Sequence, residues 1–140
     1  MLLHFGGVGG NNTNYFHAIY RLLIRLREAL KIKQKVELLE EKIRKYFAYW
    51  LDVCSNELEK QLVVNETTEI YSTCLPYSDR IIIVIEGIEN FLDTETGRES
   101  NIAFWLPKCF PRNIKVIVTT DSKSDALDYF NKIECETIHI

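Results

Sequence analysis

Apolar and polar positions along this chain change period several times, and each change predicts an element. Residues 80–93 read RIIIVIEGIENFLD: the β-branched run Ile81 to Ile85 leads into Glu86, Gly87 and Glu89. A run of this kind predicts a strand buried on both faces. Before it, Leu2 to Phe5 predicts a short strand ending at the glycine-rich Gly6–Gly10. Phe16, Ile19, Tyr20, Leu22, Leu23, Leu26 and Leu30 then recur at three and four residues, which predicts a core helix capped by Asn12 or Thr13. The same spacing from Val36 through Leu39, Ile43, Phe47, Trp50, Leu51, Cys54 and Leu58 to Leu62 predicts a second, longer helix. Periodicity is lost over residues 63–79, a loop. Beyond the central strand come a turn over Asp93 to Gly97, a short helix from Ser100 bounded by Pro107 and Pro111, and a strand from Ile114 to Thr120. A helix opened by Asp121-Ser122 and a last strand, Thr137 to Ile140, complete the order. Alternating strands and helices argue an α/β fold, a three-layer arrangement in which a mainly parallel sheet is flanked by helices and linked by right-handed crossovers.

Composition narrows the class. The chain has 140 residues, 46% hydrophobic and 26% charged, which suits one globular domain with no internal boundary. A net charge of -3 supplies no field for nucleic acid or anionic lipid. The basic residues between Arg21 and Lys45 alternate with Glu28, Glu37, Glu40 and Glu41, as on a solvated helix face. Cys54, Cys74, Cys109 and Cys135 are widely scattered, with no CxxC pair and no histidine at zinc spacing. Reduced thiols in a cytoplasmic setting are expected. Two matches to the glycosylation acceptor pattern, at Asn11 and Asn65, are read as chance, and no apolar run reaches the roughly twenty residues of a membrane span.

Candidate chemistry centres on Glu86. A carboxylate at the carboxyl end of a central strand points into the crevice where open α/β sheets bind ligands. The glycine-rich turn at Gly6–Gly10 is not a phosphate loop, because no Lys-Ser/Thr follows it. His4, His17 and His139 are scattered, no GxSxG elbow is present, and Cys109 has no nearby base. Tyr46, Tyr49 and Trp50 on the long helix would serve either a protein partner or core packing, and packing is the preferred reading.

Three segments together resemble a NACHT-type domain of the STAND class of P-loop NTPases, in the version carried by nephrocystin-like tetratricopeptide-repeat proteins. Leu3-His4-Phe5-Gly6-Gly7 with Thr13 resembles the strand and turn that follow the family's phosphate-loop helix. Ile81 to Asn90 resembles its Walker B strand. Trp105-Leu106-Pro107 with Pro111 to Thr120 resembles its sensor-1 strand. The resemblance implies an incomplete P-loop NTPase-like core whose first strand and phosphate loop lie before residue 1, so the chain is expected to be a fragment. It also implies that Glu86 would hold magnesium through water, that Glu89 would help place an attacking water, and that Thr119 and Thr120 would contact nucleotide.

The departures carry as much weight. Glu86 stands where the family has Asp, Asn90 replaces the second acid of the pair, and Asp121 stands where an Arg is common. An amide cannot accept a proton from water as a carboxylate does. The expected function is therefore a degenerate or truncated nucleotide-binding switch module of a larger regulatory or scaffolding protein, with protein partners through the rest of that chain. By itself it would not be catalytically competent and would hold no cofactor; ATP and Mg would enter only with the phosphate loop restored. One alternative is part of an active ATPase whose phosphate loop lies upstream, and another is a helical protein-interaction module. Without the family's first strand, the strand at Ile114 to Thr119 keeps an open edge unless Thr137 to Ile140 closes on it.

Overall fold

The computed structural model describes residues 2–6, 14–67, 79–92, 101–133 and 135–138. Three strands, β1 (Leu2–Gly6), β2 (Ile81–Glu86) and β3 (Ile114–Val118), form one sheet in the order β1-β2-β3. Both pairings are parallel: Leu2 lies opposite Ile82 and Gly6 opposite Glu86, while Ile81 lies opposite Ile114 and Ile85 opposite Val118. The isoleucine-rich run is thus the middle strand, as its composition suggests. Among the described residues four α-helices accompany the sheet: α1 (Tyr15–Ala29), α2 (Ile43–Thr67), α3 (Ile102–Trp105) and α4 (Asp125–Phe130).

Burial along β2 alternates. Ile81, Ile83 and Ile85 are buried, Ile82 and Val84 are half-buried, and Glu86 is exposed. This corrects the expectation of burial on both faces. The registered neighbours Ile114, Val116 and Val118 share the buried face, whereas Lys115 is exposed and Ile117 is 52% exposed on the other. The sheet is an open one, with a single face against the main core.

α1 forms where its pattern places it. Tyr15, Ala18, Ile19, Leu22, Leu23 and Leu26 are buried along one stripe. Its cap is Asn14 rather than Asn12 or Thr13, which lie outside the described residues. The Asn14 side-chain oxygen accepts from the Phe16 N–H at 2.8 Å and the His17 N–H at 3.3 Å. At the far end the Ile32 N–H reaches back to the Arg27 carbonyl at 2.9 Å and the Lys31 N–H to Glu28 at 3.1 Å. This Schellman closure puts Lys31 at φ 56, a left-handed position held by a residue with a Cβ.

α2 starts later than its periodicity suggests. Leu39 is extended, Glu40–Lys42 form a 3-10 turn, and the α-helix begins at Ile43. The reason is distance. The Tyr15 hydroxyl donates to Glu40 in the 3-10 turn that leads into α2, while the Gln61 amide donates to the Leu30 carbonyl at the end of α1. The two helices therefore start at the same end and run alongside one another, which rules out a helical hairpin. Residues 31–39 must return along α1, whose fifteen residues span roughly 22 Å. An extended strap covers that span, and a helix of the same nine residues would cover only about 14 Å. Val36 still reaches the core from the strap, 8% exposed, whereas Leu39 is 55% exposed.

The core lies between these two helices and the sheet. Phe47, Trp50 and Leu51 are buried on α2, which assigns Trp50 to packing rather than to a partner surface. Cys54 is buried beside them and is a free thiol; Cys109 and Cys135 are free and exposed. Ser55, next along the helix, makes a reciprocal pair with the loop before β3. Its hydroxyl donates to Asn113 Oδ1 at 2.6 Å, and Asn113 Nδ2 donates to the Ser55 carbonyl at 3.2 Å. α4 is capped by Ser124, three residues beyond the Asp121 expected to open it, and Asp121 instead accepts from the Lys123 N–H. Thr137 and Ile138 are exposed coil, so the last expected strand is not formed there; His139 and Ile140, like the expected turn at Asp93 to Gly97, lie outside the described residues. No helix among the described residues is long and apolar enough to cross a membrane.

Replacing Trp50 with alanine is expected to cost about 3–5 kcal/mol, read as a lowered midpoint in urea unfolding. Burial pushes the Cys54 thiol up to about 12 from its ordinary 9.0. The folded state thus keeps a proton that the unfolded chain releases, and stability should fall as pH rises from 9.0 toward about 12. Below that window, alkylation mapped by mass spectrometry should label Cys109 and Cys135 and spare Cys54.

Candidate functional site at the carboxyl end of the sheet

All three strands point their carboxyl ends the same way, so Gly6, Glu86 and Val118 reach one rim. Asn14, at the start of α1, joins this rim through a parallel bridge to Leu92. Trp105 closes the rim from α3: its ring stacks on Tyr15 at 6.0 Å and 7° and meets Phe91 edge-on at 5.8 Å. These contacts fix the start of α1, the chain leaving β2 and α3 in one cluster. The small void beneath them, about 10 Å³, is lined by Tyr15, Ala18, Ile19, Leu22, Phe47, Ile85, Phe91 and Trp105. Its walls are almost wholly apolar, and the polar groups at this end of the sheet lie at the surface rim.

The turn after β2 decides where the acidic residues go. Gly87 adopts φ 62 and ψ 55, and this left-handed step swings the chain into a 3-10 turn over Ile88–Asn90. Ile88 is buried and anchors the turn, which separates exposed Glu86 from half-buried Glu89. Thr119 locks the same turn. Its N–H donates to the Ile85 carbonyl at 2.9 Å, its carbonyl accepts from the Ile88 N–H at 3.0 Å, and its hydroxyl accepts from the Gly87 N–H at 2.9 Å. One residue after β3 thereby fixes the turn after β2 with three bonds. Sequence reasoning points to Thr119 for ligand contact; this structural role depends on the positive φ at Gly87, which residue identity alone only hints at.

The other two expected residues are placed differently. Glu89 Oε1 takes a long contact of 3.5 Å from the Asn90 amide, while Glu89 Oε2 is buried with no hydrogen-bond partner among the described residues. Thr120 Oγ1 is buried and unpartnered in the same way. Orphaned oxygens of this kind cost free energy and suit a cation, a water or a donor group. The carboxylates Glu86 and Glu89 are chemically suited to magnesium held through water. The phosphates of a nucleotide would find no match in these 140 residues, which contain no Gly-Lys-Ser/Thr and put the negative charge of Asp121 just beyond Thr120. No group of three His, Cys, Asp or Glu residues that could hold a metal occurs among the described residues.

A larger concavity of about 310 Å³ lies beside the start of α2, lined by Glu41, Lys42, Ile43, Arg44, Lys45, Ala103 and Phe104. It contains none of the four expected site residues. Arg44 is engaged there, donating to the Ala103 carbonyl at 2.9 Å. Its positive charge also reaches Tyr129, whose hydroxyl is held above the usual phenol range by burial, with Arg44 pulling the other way.

Thr119→Val should destabilise the fold by about 0.5–1.5 kcal/mol through the lost bond to the Gly87 N–H, and Thr119→Ser should recover most of it. Gly87→Ala should cost about 1–2 kcal/mol, chiefly through the left-handed backbone. Its new Cβ would also fall 2.6 Å from the Asn90 amide nitrogen, the end of an exposed side chain that would have to shift. Chemical denaturation of the three variants checks both expectations. Compared with known proteins, the chain matches no family model, no curated protein and no solved structure.

Proposed function

We propose that this chain is a degenerate nucleotide-fold switch module of a larger regulatory or scaffolding protein, with an incomplete P-loop NTPase-like core that does not hydrolyse ATP by itself. One observation carries the reading. The acid-ended strand β2 lies between two parallel neighbours, and its exit turn is bonded to Thr119 at the end of β3. That puts a carboxylate and a hydroxyl-bearing residue from adjacent strands on one rim, the arrangement a Walker B strand and a sensor strand require. Two features support the degenerate form over an active enzyme. Asn90 occupies the position of a catalytic acid, and the Thr119 hydroxyl is already an acceptor for the Gly87 N–H, so it serves the turn first.

In this reading Glu86 and Glu89 are remnants of a magnesium site, and Thr119 and Thr120 keep the sensor position as structural residues. Any signal passed to the rest of a larger protein would travel through the turn after β2, because that turn joins the rim to buried Ile88.

Titration of the 140-residue chain with labelled ATP and magnesium should show no saturable binding in the micromolar range and no phosphate release. Micromolar binding that is lost in Glu86→Gln would overturn the proposal and favour a working nucleotide site.

A further inference from the structure

The concavity between the first turn of α2 and α3 gathers charge of one sign around an exposed ring. Its cations are Lys42, Arg44 and Lys45, and its one acid is Glu41. All four side chains are exposed. Glu41 and Lys45 stand four residues apart, a spacing at which helix side chains can pair. Even so, neither Lys42 nor Lys45 makes an ion pair or a side-chain hydrogen bond among the described residues. Arg44 gives one bond to the Ala103 carbonyl at 2.9 Å, which ties α2 to α3 and so holds the two walls together. A guanidinium has five N–H donors, so that bond leaves most of its capacity unused.

The apolar part of the lining is Ile43, Ala103 and Phe104. Ile43 is fully buried and anchors this wall in the core. Neighbouring aromatics on α3 fare differently. Trp105 is buried and stacks flat on Tyr15, whereas Phe104 meets the same ring edge-on at 6.5 Å and stays 50% exposed. The edge contact orients the Phe104 ring and leaves half of it uncovered beside the three cations.

We propose that this concavity binds a small aromatic acid, with the ring of the ligand against Phe104 and its acid group among Lys42, Arg44 and Lys45. Size fits a molecule of one or two rings, because about 310 Å³ lies at the lower end of ligand pockets. Charge fits a carboxylate or sulfonate, which ammonium and guanidinium donors bind through charge-assisted bonds. Glu41 sets the upper limit: one carboxylate among three cations suits an anion of low charge and opposes a polyphosphate. Both halves of the ligand are needed. A neutral ring leaves the cations unused, and an acid without a ring leaves Phe104 in water. The chain as a whole carries -3, so capture depends on these local cations and weakens with salt. None of Glu86, Glu89, Thr119 and Thr120 lines this site, which therefore stands independently of the nucleotide-fold reading.

Fluorescence titration of the 140-residue chain with anilinonaphthalene sulfonate tests the proposal. Saturable binding at one site per chain is expected. Naphthoate should displace the dye, whereas naphthalenemethanol, which has the ring without the charge, and acetate should do so far less well. Phe104→Ala should weaken binding roughly fivefold, and Lys45→Glu about tenfold. Phe104→Tyr and Lys45→Arg should retain it. Urea unfolding of each variant separates a lost site from a lost fold, since the dye also adheres to partly unfolded chains. Should Phe104→Ala fail to fold, Lys45→Glu and the competition series decide. Absence of saturable binding, binding indifferent to the variants that fold, or equal displacement by the neutral alcohol would each overturn the proposal.

Discussion

Burial of one face of β2 beneath two long helices is the constraint from which the rest of this structure follows. Ile81, Ile83 and Ile85 are almost wholly removed from water, and the helices that cover them contribute Leu22, Leu23, Leu26, Phe47, Trp50 and Leu51. At about 25 cal/mol per Å² of apolar surface, this shared layer makes a large favourable contribution to folding. It also dictates direction. Two helices that lie side by side on one sheet face and start from the same end need a connection that returns along the first, and the extended strap at residues 31–39 is that connection.

The same constraint explains why the chemistry is gathered at one rim. Parallel strands present all their carboxyl ends together, and a helix returning over the sheet brings its own amino terminus to the same end. Glu86 and Thr119 reach the same rim for that reason, although they come from two separate segments of the chain. The bonds from Thr119 to the turn at Gly87 then convert a junction of strands into a fixed shape. Two oxygens at this end of the sheet, on Glu89 and Thr120, are left without hydrogen-bond partners among the described residues.

Much of the architecture was legible in the sequence. The β-branched run announced the middle strand, and the helical spacing of Ile19, Leu22, Leu23 and Leu26 announced the face of α1. The short apolar run at Ile114 to Val118 announced a parallel neighbour. What escaped was set by tertiary distance or by backbone conformation. Val36 and Leu39 keep helical spacing, yet the gap they must bridge is too long for a helix. Asn14 takes the cap because the helix starts later than a cap at Asn12 or Thr13 would require. Ile138 has strand composition but lies exposed in coil. For the site, the carboxylates were legible as charges at a strand end; the bonding role of Thr119 was not, since it exists only once Gly87 has turned left-handed. The pair formed by Ser55 and Asn113 joins residues far apart in the chain and carries no local signal at all.

The first and second strands meet across most of the polypeptide: Leu2 is registered against Ile82. Closing a loop of that size costs entropy before any ladder contact compensates it, and such long-range pairing slows folding. The helices between them can form early, from neighbouring residues. During that interval β2 has a bare flank, rich in isoleucine, that any other extended chain can reach. In a protein synthesised from its amino terminus, β1 must wait until some eighty further residues have been made before its partner exists.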